Sequence, residues 1–310
     1  MFTVRKIPVS TGILQERREY YTGLRCTISP ERIKRHINQD VAITTDTSPC
    51  PFCPDNVLSA TPVFPDGSRI IRGESVTFPN LFPFGEWHTV TVLTRDHTVQ
   101  EFSFRQIADA LSAQAEALKR HDGYTSINWN YLPSAGASLT HPHMQAISSR
   151  QPSFLPEQYI RAGQRYSARH EGTYWEAVME NERDSDRFLF GEDEIFWHAH
   201  AVPLGEREIR GILPVSCVGE LESYIETLAR DILSIISFYR TFGTYAFNMA
   251  IFFERDGNDR SYSAFCSFIS RINPNPNSTS DSAFMERLHL QPVILTLPEE
   301  LGVCYRGKLQ

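Results

Sequence analysis

Apolar residues recur with a helical period over residues 101–120, at Ile107, Leu111, Ala115 and Leu118. That spacing puts one stripe of a helix against a core. Two strand-like runs follow, over 124–131 and 139–148. Residues 218–240 repeat the theme with Leu221, Tyr224, Ile225, Leu228, Ile232, Ile235, Ile236 and Tyr239, and runs over 245–254 and 261–271 follow in turn. A pair of strand-like runs also precedes each helix, over 75–78 and 90–93 in the first half and over 194–198 and 209–213 in the second. The pattern predicts an α+β fold made by internal duplication of a strand, strand, helix, strand, strand unit, at about 120 residues per copy.

Lining up the copies separates scaffold from chemistry. Gly73-Glu74 and Gly191-Glu192 open corresponding runs, and residues 136–150 match residues 257–271 in length. In that register Tyr262 stands opposite His141, Ala264 opposite His143, Cys266 opposite Gln145, and Ser216 opposite His97. The second copy keeps the apolar plan and lacks the polar constellation, so the chemistry is expected in the first copy. Residues 151–187 are polar and charge-rich and read as a solvated helix or linker. Residues 273–280 have no core-forming side chains and read as a loop.

The constellation centres on Thr140-His141-Pro142-His143-Met144-Gln145, which follows an expected turn at Pro133-Ser134-Ala135-Gly136. Residues two apart on a strand share a face, so His141, His143 and Gln145 are expected on one surface and Met144 and Ala146 on the other. A neutral imidazole can act as a metal ligand or a nucleophile. A hydrogen-bonded structural pair would have the same spacing. Upstream, Ser48-Pro49-Cys50-Pro51-Phe52-Cys53-Pro54-Asp55 is a proline-punctuated knuckle that excludes a regular helix or central strand. Two thiolates three positions apart on a tight turn can grip one zinc ion. A redox role is the weaker reading, because no helix is expected to follow and lower a thiol pKa. Cys26, Cys217, Cys266 and Cys304 sit in apolar segments and read as small core residues.

Composition narrows the function classes. A length of 310 residues allows one large domain or two ordinary ones. A formal charge of −7 argues against bulk binding to nucleic acid or acidic membranes, though local basic clusters can still hold a phosphate. The first residues, Met1-Phe2-Thr3-Val4-Arg5-Lys6-Ile7-Pro8, lack the apolar core of a signal peptide, and no apolar run reaches membrane-spanning length. The expected compartment is the cytosol.

Several motifs then point the same way. Cys50-Pro51-Phe52-Cys53 followed by Asn56, Phe78-Pro79-Asn80, Arg95-Asp96-His97, and Asn130 leading through Gly136 and Ser138 to His141-Pro142-His143-Met144-Gln145 resemble the galactose-1-phosphate uridylyltransferase family, a branch of the histidine-triad superfamily. Ser29-Pro30-Glu31-Arg32-Ile33-Lys34-Arg35 resembles that family's N-terminal arginine motif. The resemblance is close over residues 20–150 and looser to about residue 300.

The resemblance implies two tandem histidine-triad-like domains: residues 1–170, catalytic, and residues 171–310, degenerate and contributing to substrate binding. It implies that His143 attacks the α-phosphorus of a nucleotide sugar and becomes a nucleotidyl-histidine. Cys50, Cys53, His97 and His141 would bind one zinc ion. Gln145, Ser138, Arg32 and Arg35 would hold the phosphates, and Phe78, Asn80, Asn130 and Gly136 would line the nucleotide site. The implied activity is ping-pong transfer of a nucleotidyl group between sugar 1-phosphates, in galactose or related carbohydrate metabolism. A homodimer is left open.

Elementary chemistry agrees with this division. Two thiolates and two imidazoles complete a tetrahedron with no open position, which suits a structural metal. A hydrogen bond from the other nitrogen of His143 to a backbone carbonyl would set its tautomer, and the Gln145 amide donates to a phosphoryl oxygen without adding negative charge.

The departures set the alternatives. Some family members carry a second metal site with a His-x-His near residues 262–264. This chain has Ser261-Tyr262-Ser263-Ala264-Phe265-Cys266 there, so that site is not expected. Of the family's sugar-recognising segment only Phe284-Met285-Glu286 is placed, with Glu286 receiving sugar hydroxyls. His198 and His200 read as structural or solvent-facing. Inorganic phosphate as acceptor would make the protein a nucleotide-sugar or dinucleotide phosphorylase, and water would make it a hydrolase. A non-catalytic zinc-bound nucleotide module would have no need of His143.

Overall fold

The computed structural model describes residues 1–10, 12–34, 49–191, 194–255, 261–272 and 280–307. It is α+β, with antiparallel sheets and packed helices. The contacts divide into two compact units, each assembled from separated segments: Met1–Asp40, Ser153–Pro214 and Arg260–Gln310 in one, Val41–Pro152 and Val215–Asp259 in the other. The expected domains, 1–170 and 171–310, are continuous in the chain, whereas each compact unit draws segments from both. Strand pairing joins segments from the two halves of the chain within one unit. Phe247–Phe253, from the second half of the chain, pairs antiparallel with Tyr124–Tyr131 through seven residues, from Phe247 opposite Tyr131 to Phe253 opposite Thr125.

The second of these units carries most of the sequence-singled residues. Its strands run in the order Ile70–Arg72, Ser75–Pro79, Trp87–Val92, His143–Ser149, Tyr124–Tyr131 and Phe247–Phe253. The helix Phe104–Leu118 starts on a capping box, in which Ser103 accepts from the Gln106 amide and the Gln106 side chain accepts from the Ser103 amide. Its stripe of Ile107, Leu111, Ala115 and Leu118 is buried as the periodicity requires. It covers one face of the sheet and lies against the second long helix, Ile225–Arg240. That helix is preceded by a 3-10 segment, Val218–Tyr224, so the expected continuous helix over 218–240 changes pitch part-way.

Alternation along the strands sorts the side chains. Thr89, Thr91, Ile127, Trp129, Met144 and Ala146 are buried under the helices, and Thr89 Oγ1 donates to Gln114 Oε1 of the covering helix at 2.9 Å. The opposite face carries Val76, Phe78, His88, Val90, Val92, Asn128, Asn130, His143 and Gln145.

The other compact unit holds a four-stranded sheet in the order Phe2–Val9, Gly12–Glu19, Arg25–Ile28 and Val293–Ile294, the last pair parallel. It also holds Phe265–Ser270, Ile209–Ile212, Phe196–Ala199 and Phe188–Phe190, antiparallel neighbours in that order. Residues 151–187, read as a solvated helix or linker, are helical, in Phe154–Ser167 and Tyr174–Arg183, but the helices are not merely solvated, because Tyr159, Tyr174 and Trp175 are buried. The segment is charge-rich, but Tyr159, Tyr174 and Trp175 fall on the inner face and anchor it, while Phe154 is exposed. His198 and His200 are buried and structural, His200 Nδ1 donating to the Val202 carbonyl at 2.8 Å. Cys26 and Cys266 are core residues as expected, Cys217 is half-buried and Cys304 is exposed. Cys304 lies on the outer side of the helix Pro298–Gly307, a position that its apolar neighbours did not reveal. Among the described residues no helix is long and apolar enough to cross a membrane.

Leu111 is fully buried at the centre of the helix stripe. Leu111→Ala is expected to destabilise the protein by about 2–5 kcal/mol, read as a lower urea midpoint at unchanged slope.

Candidate active site and metal centre

The proline-rich knuckle folds as its sequence directs. The Cys53 amide donates to the Cys50 carbonyl at 3.3 Å, and Asn56 Nδ2 donates to the same carbonyl at 2.9 Å. A short helix, Pro54–Ala60, does follow, with Cys53 at its N-cap and Pro54 at its first position. This corrects the expectation of no helix there. The Cys53 thiol is nevertheless pushed up rather than down, by burial first and then by the neighbouring Cys50. Two adjacent thiolates are therefore disfavoured unless a cation lies between them.

Four side chains converge at the knuckle. One ligand atom from each of Cys50, Cys53, His97 and His141 lies within 4.8 Å of all the others. Cys53 Sγ is 3.5 Å from His97 Nδ1, and Cys50 and Cys53 Sγ are each 3.8 Å from His141 Nδ1. A tetrahedral ion with metal–sulfur bonds of about 2.3 Å and metal–nitrogen bonds of about 2.0 Å holds such ligands roughly 3.6 Å apart. The second ring nitrogen of His141 donates to the Thr94 carbonyl at 2.8 Å, which fixes the tautomer with Nδ1 free to coordinate. Burial lowers the His141 pKa and so keeps the ring neutral. The loop carrying His97 is tied down by Glu74, whose Oε2 accepts from Thr94 Oγ1 at 2.8 Å and from the Arg95 amide at 3.3 Å. The geometry and the donor set fit a bound metal ion.

The regular strand starts at His143, so His141 stands just before it instead of sharing its face. His143 and Gln145 keep the expected alternation. His143 is buried, and its Nδ1 donates to the His141 carbonyl at 2.9 Å. Nε2 is left with the lone pair. Burial pushes this imidazole below its ordinary pKa, which keeps it neutral. The Phe52 ring packs edge-on against His143 at 5.4 Å and tilted against Phe78 at 5.7 Å. Phe78, expected to line the nucleotide site, is itself buried in the cluster with Val57, Val90 and Val92. Beside this cluster a cavity of about 240 Å³ is lined by Phe52, Val57, Ile71, Glu74, Val92 and Arg95, among others.

Gln145 faces Val90 on one neighbouring strand and Asn128 on the other. Its Oε1 lies 2.9 Å from Nε2 of His88, which lies 3.1 Å from Nδ2 of Asn80. His88 went unnoticed in the sequence, because a single histidine in an apolar run has no spacing partner to mark it. Asn248 also went unnoticed. Its Nδ2 donates to Asn130 Oδ1 at 2.6 Å and to the Ala135 carbonyl at 2.8 Å, holding Asn130 against the turn. That turn, Pro133–Ala135, is entered by Leu132 at φ 72° and left by Gly136 at φ 86°. Glycine takes the second angle freely, while Leu132 stores strain of about 1–3 kcal/mol. Ser138 beyond it is exposed.

The remaining expected residues belong to the other compact unit or fall outside the described residues. Arg32 is exposed on the 3-10 turn Pro30–Lys34, in the other compact unit. Arg35 falls outside the described residues. Glu286, in the same unit as Arg32, caps its own short helix: its two carboxylate oxygens accept from the amides of Ala283 at 2.8 Å and Val293 at 3.1 Å.

ADP-glucose phosphorylase from Arabidopsis thaliana, solved with bound ADP-glucose, superposes with a TM-score of 0.75 at 15% identity, over 94% of this chain and 98% of that one. A uridylyltransferase superposes with a TM-score of 0.70 at 18% identity, over 95% and 98%. The chain has the fold of the galactose-1-phosphate uridylyltransferases. In sequence, an uncharacterized protein of Archaeoglobus fulgidus is 27% identical over 270 residues, 83% of this chain and 81% of that protein. No family model matches the chain.

The uridylyltransferase-fold protein is expected to purify with one metal ion per chain, counted by mass spectrometry of the elements. Cys50→Ser and His141→Ala are expected to lose the ion and several kcal/mol of stability together. Full stability after exhaustive chelation would show that the four side chains do not hold a metal.

Proposed function

We propose that the protein is a nucleotidyltransferase that takes the nucleotidyl group of a nucleotide sugar onto His143 and passes it to a phosphate acceptor. The observation that carries this reading is the 2.9 Å bond from His143 Nδ1 to the His141 carbonyl, which leaves Nε2 as the nucleophilic nitrogen, on the same face of the strand as Gln145. In the first half-reaction Nε2 forms a bond to the α-phosphorus, and the bond from that phosphorus to the bridging oxygen breaks. The sugar 1-phosphate leaves with the electron pair. In the second, an oxygen of the acceptor phosphate attacks the same phosphorus and the P–N bond breaks, returning the lone pair to Nε2. The proton stays on Nδ1, hydrogen-bonded to the His141 carbonyl, throughout, so positive charge developing on the ring is stabilised without a proton transfer.

The other residues take supporting roles. Gln145 Nε2 and Ser138 serve the phosphates, and Asn80, Asn130, Phe78 and Gly136 serve the nucleoside side. Arg32 and Arg35 are the arginines proposed for the diphosphate. Glu286, with both oxygens engaged by its own helix and Val293, is the weakest candidate for sugar contact. The metal proposed is zinc, the ion suited to two thiolates and two imidazoles in a closed tetrahedron. Its role is to staple the knuckle to the loop and strand that carry His97 and His141.

Two acceptors remain in the proposal. A sugar 1-phosphate makes the protein a hexose-1-phosphate nucleotidyltransferase of the galactose type. Inorganic phosphate makes it a phosphorylase, a reading favoured by the likeness to the protein solved with ADP-glucose. ADP-glucose and UDP-glucose are therefore the first donors to test.

Incubated with a nucleotide sugar and no acceptor, the protein is expected to gain one nucleotide through an acid-labile phosphoramidate, seen by intact mass. His143→Ala abolishes adduct and turnover while keeping metal and fold. Gln145→Ala slows adduct formation on the order of 10²–10³-fold, the cost of one preorganised donor. Continued exchange of label between sugar 1-phosphate and nucleotide sugar in His143→Ala would overturn the assignment. Adding phosphate or a hexose 1-phosphate to the isolated adduct then identifies the acceptor.

A further inference from the structure

His88 lies two residues before Val90, the residue that pairs with Gln145 across the sheet. Its ring is buried, and three polar groups meet it. The Phe84 amide donates to Nδ1 at 3.3 Å, so the ring proton belongs on Nε2. Gln145 Oε1, 2.9 Å from Nε2, is the acceptor for that proton. Asn80 Nδ2 lies 3.1 Å from the same nitrogen, but it is a donor, because Asn80 Oδ1 already accepts from the Phe82 amide at 2.9 Å. Asn80 therefore stands beside His88 without bonding to it, its hydrogens left for another acceptor.

The orientation of the Gln145 amide follows. Turned over, it would set its NH₂ group against the Nε2 proton, two donors facing each other. The arrangement that satisfies Phe84, His88 and Gln145 together has Oε1 toward His88 and Nε2 directed away from it. Among the described residues no hydrogen-bond partner takes Gln145 Nε2, and the side chain is half-exposed on the His143 face of the sheet. Burial lowers the His88 pKa and keeps the ring in this neutral, single-donor form.

We propose that His88 is a positioning residue, which fixes the end of the Gln145 amide that meets the transferring phosphoryl group. The proposal rests on the reading of His143 as nucleophile and adds a reason for Gln145 to act as a donor. Without the Nε2 proton the amide has two orientations of similar energy. In one of them a carbonyl oxygen with partial negative charge faces the phosphoryl oxygens. A donor that must be selected at each turnover loses its preorganisation.

The test is a double-mutant cycle on the rate of nucleotidyl-histidine formation, followed by intact mass with ADP-glucose and with UDP-glucose. His88→Ala is expected to slow the step about ten-fold with little change in half-saturating substrate. His88→Gln, which places an amide donor near the Nε2 position, is expected to recover most of the loss. In a Gln145→Ala background, His88→Ala should cost nothing further, which a merely structural role would not produce. Metal content and circular dichroism check each variant, and His88→Phe, which fills the ring's space without the donor, replaces His88→Ala if alanine collapses the hairpin. Additive losses in the cycle, or His88→Gln as slow as His88→Ala, would overturn the positioning role while the nucleophile stands. A wild-type protein that forms no adduct with either donor overturns both.

Discussion

One residue joins the two halves of the site. The ring of His141 faces two thiols through Nδ1 and donates through Nε2 to the Thr94 carbonyl, while its backbone carbonyl receives the Nδ1 proton of His143. A displacement of this backbone would disturb the metal ligands and the tautomer of the proposed nucleophile together. Pro142 between the histidines removes one torsional freedom and has no amide hydrogen to satisfy. Its carbonyl accepts from the Leu93 amide at 3.1 Å, which ties the segment to the strand ending at Val92. A metal ion held by the four side chains would thus have mechanical value for the proposed chemistry without touching the reacting atoms.

The sheet supplies the rest of the order. One face of the histidine strand is sealed under the helix Phe104–Leu118, so Met144 and Ala146 cannot turn outward without exposing apolar surface. This locks His143 and Gln145 onto the opposite face. The neighbouring strands then supply His88, Asn128 and Asn130 to that face, and Asn248 braces Asn130 from the far side of its strand. The apolar wall of Phe52, Phe78, Val90 and Val92 excludes water next to His143, which lowers the proton affinity of the imidazole and strengthens each donor nearby. The strained entry at Leu132 fits the same plan. The chain must reverse within a few residues to bring Asn130 and the segment through Ser138 to one edge.

Local signals were legible where physics is local. The helix stripe from Ile107 to Leu118, the alternating strand Tyr124–Tyr131 and the knuckle of Cys50 and Cys53 all follow from spacing and from the limits that proline sets. Pairing His97 and His141 with those thiols came from a family resemblance, and the structure brings the four together. The misreadings have physical causes. Residues 151–187 are helical and charge-rich, and the charge masks Tyr159, Tyr174 and Trp175, which anchor both helices in a core. Two-residue spacing puts His141 on the strand, but the ladder begins at His143, where pairing with Val92 starts. The short helix after Cys53 hid behind three prolines, one of which sits at its first turn.

The amino-acid sequence by itself determined the α+β class, the periodic faces of the long helices, the tight knuckle and the list of groups able to do chemistry. Each depends on residues a few positions apart, whose relations are set by backbone geometry. Only the tertiary structure decided which of those groups meet. Strand order put His88 diagonally across from Gln145, the late strand Phe247–Phe253 beside Tyr124–Tyr131, and the His97 loop over the knuckle. Those relations depend on pairings between segments tens to more than a hundred residues apart, selected by burial of whole sheet faces rather than by any local preference.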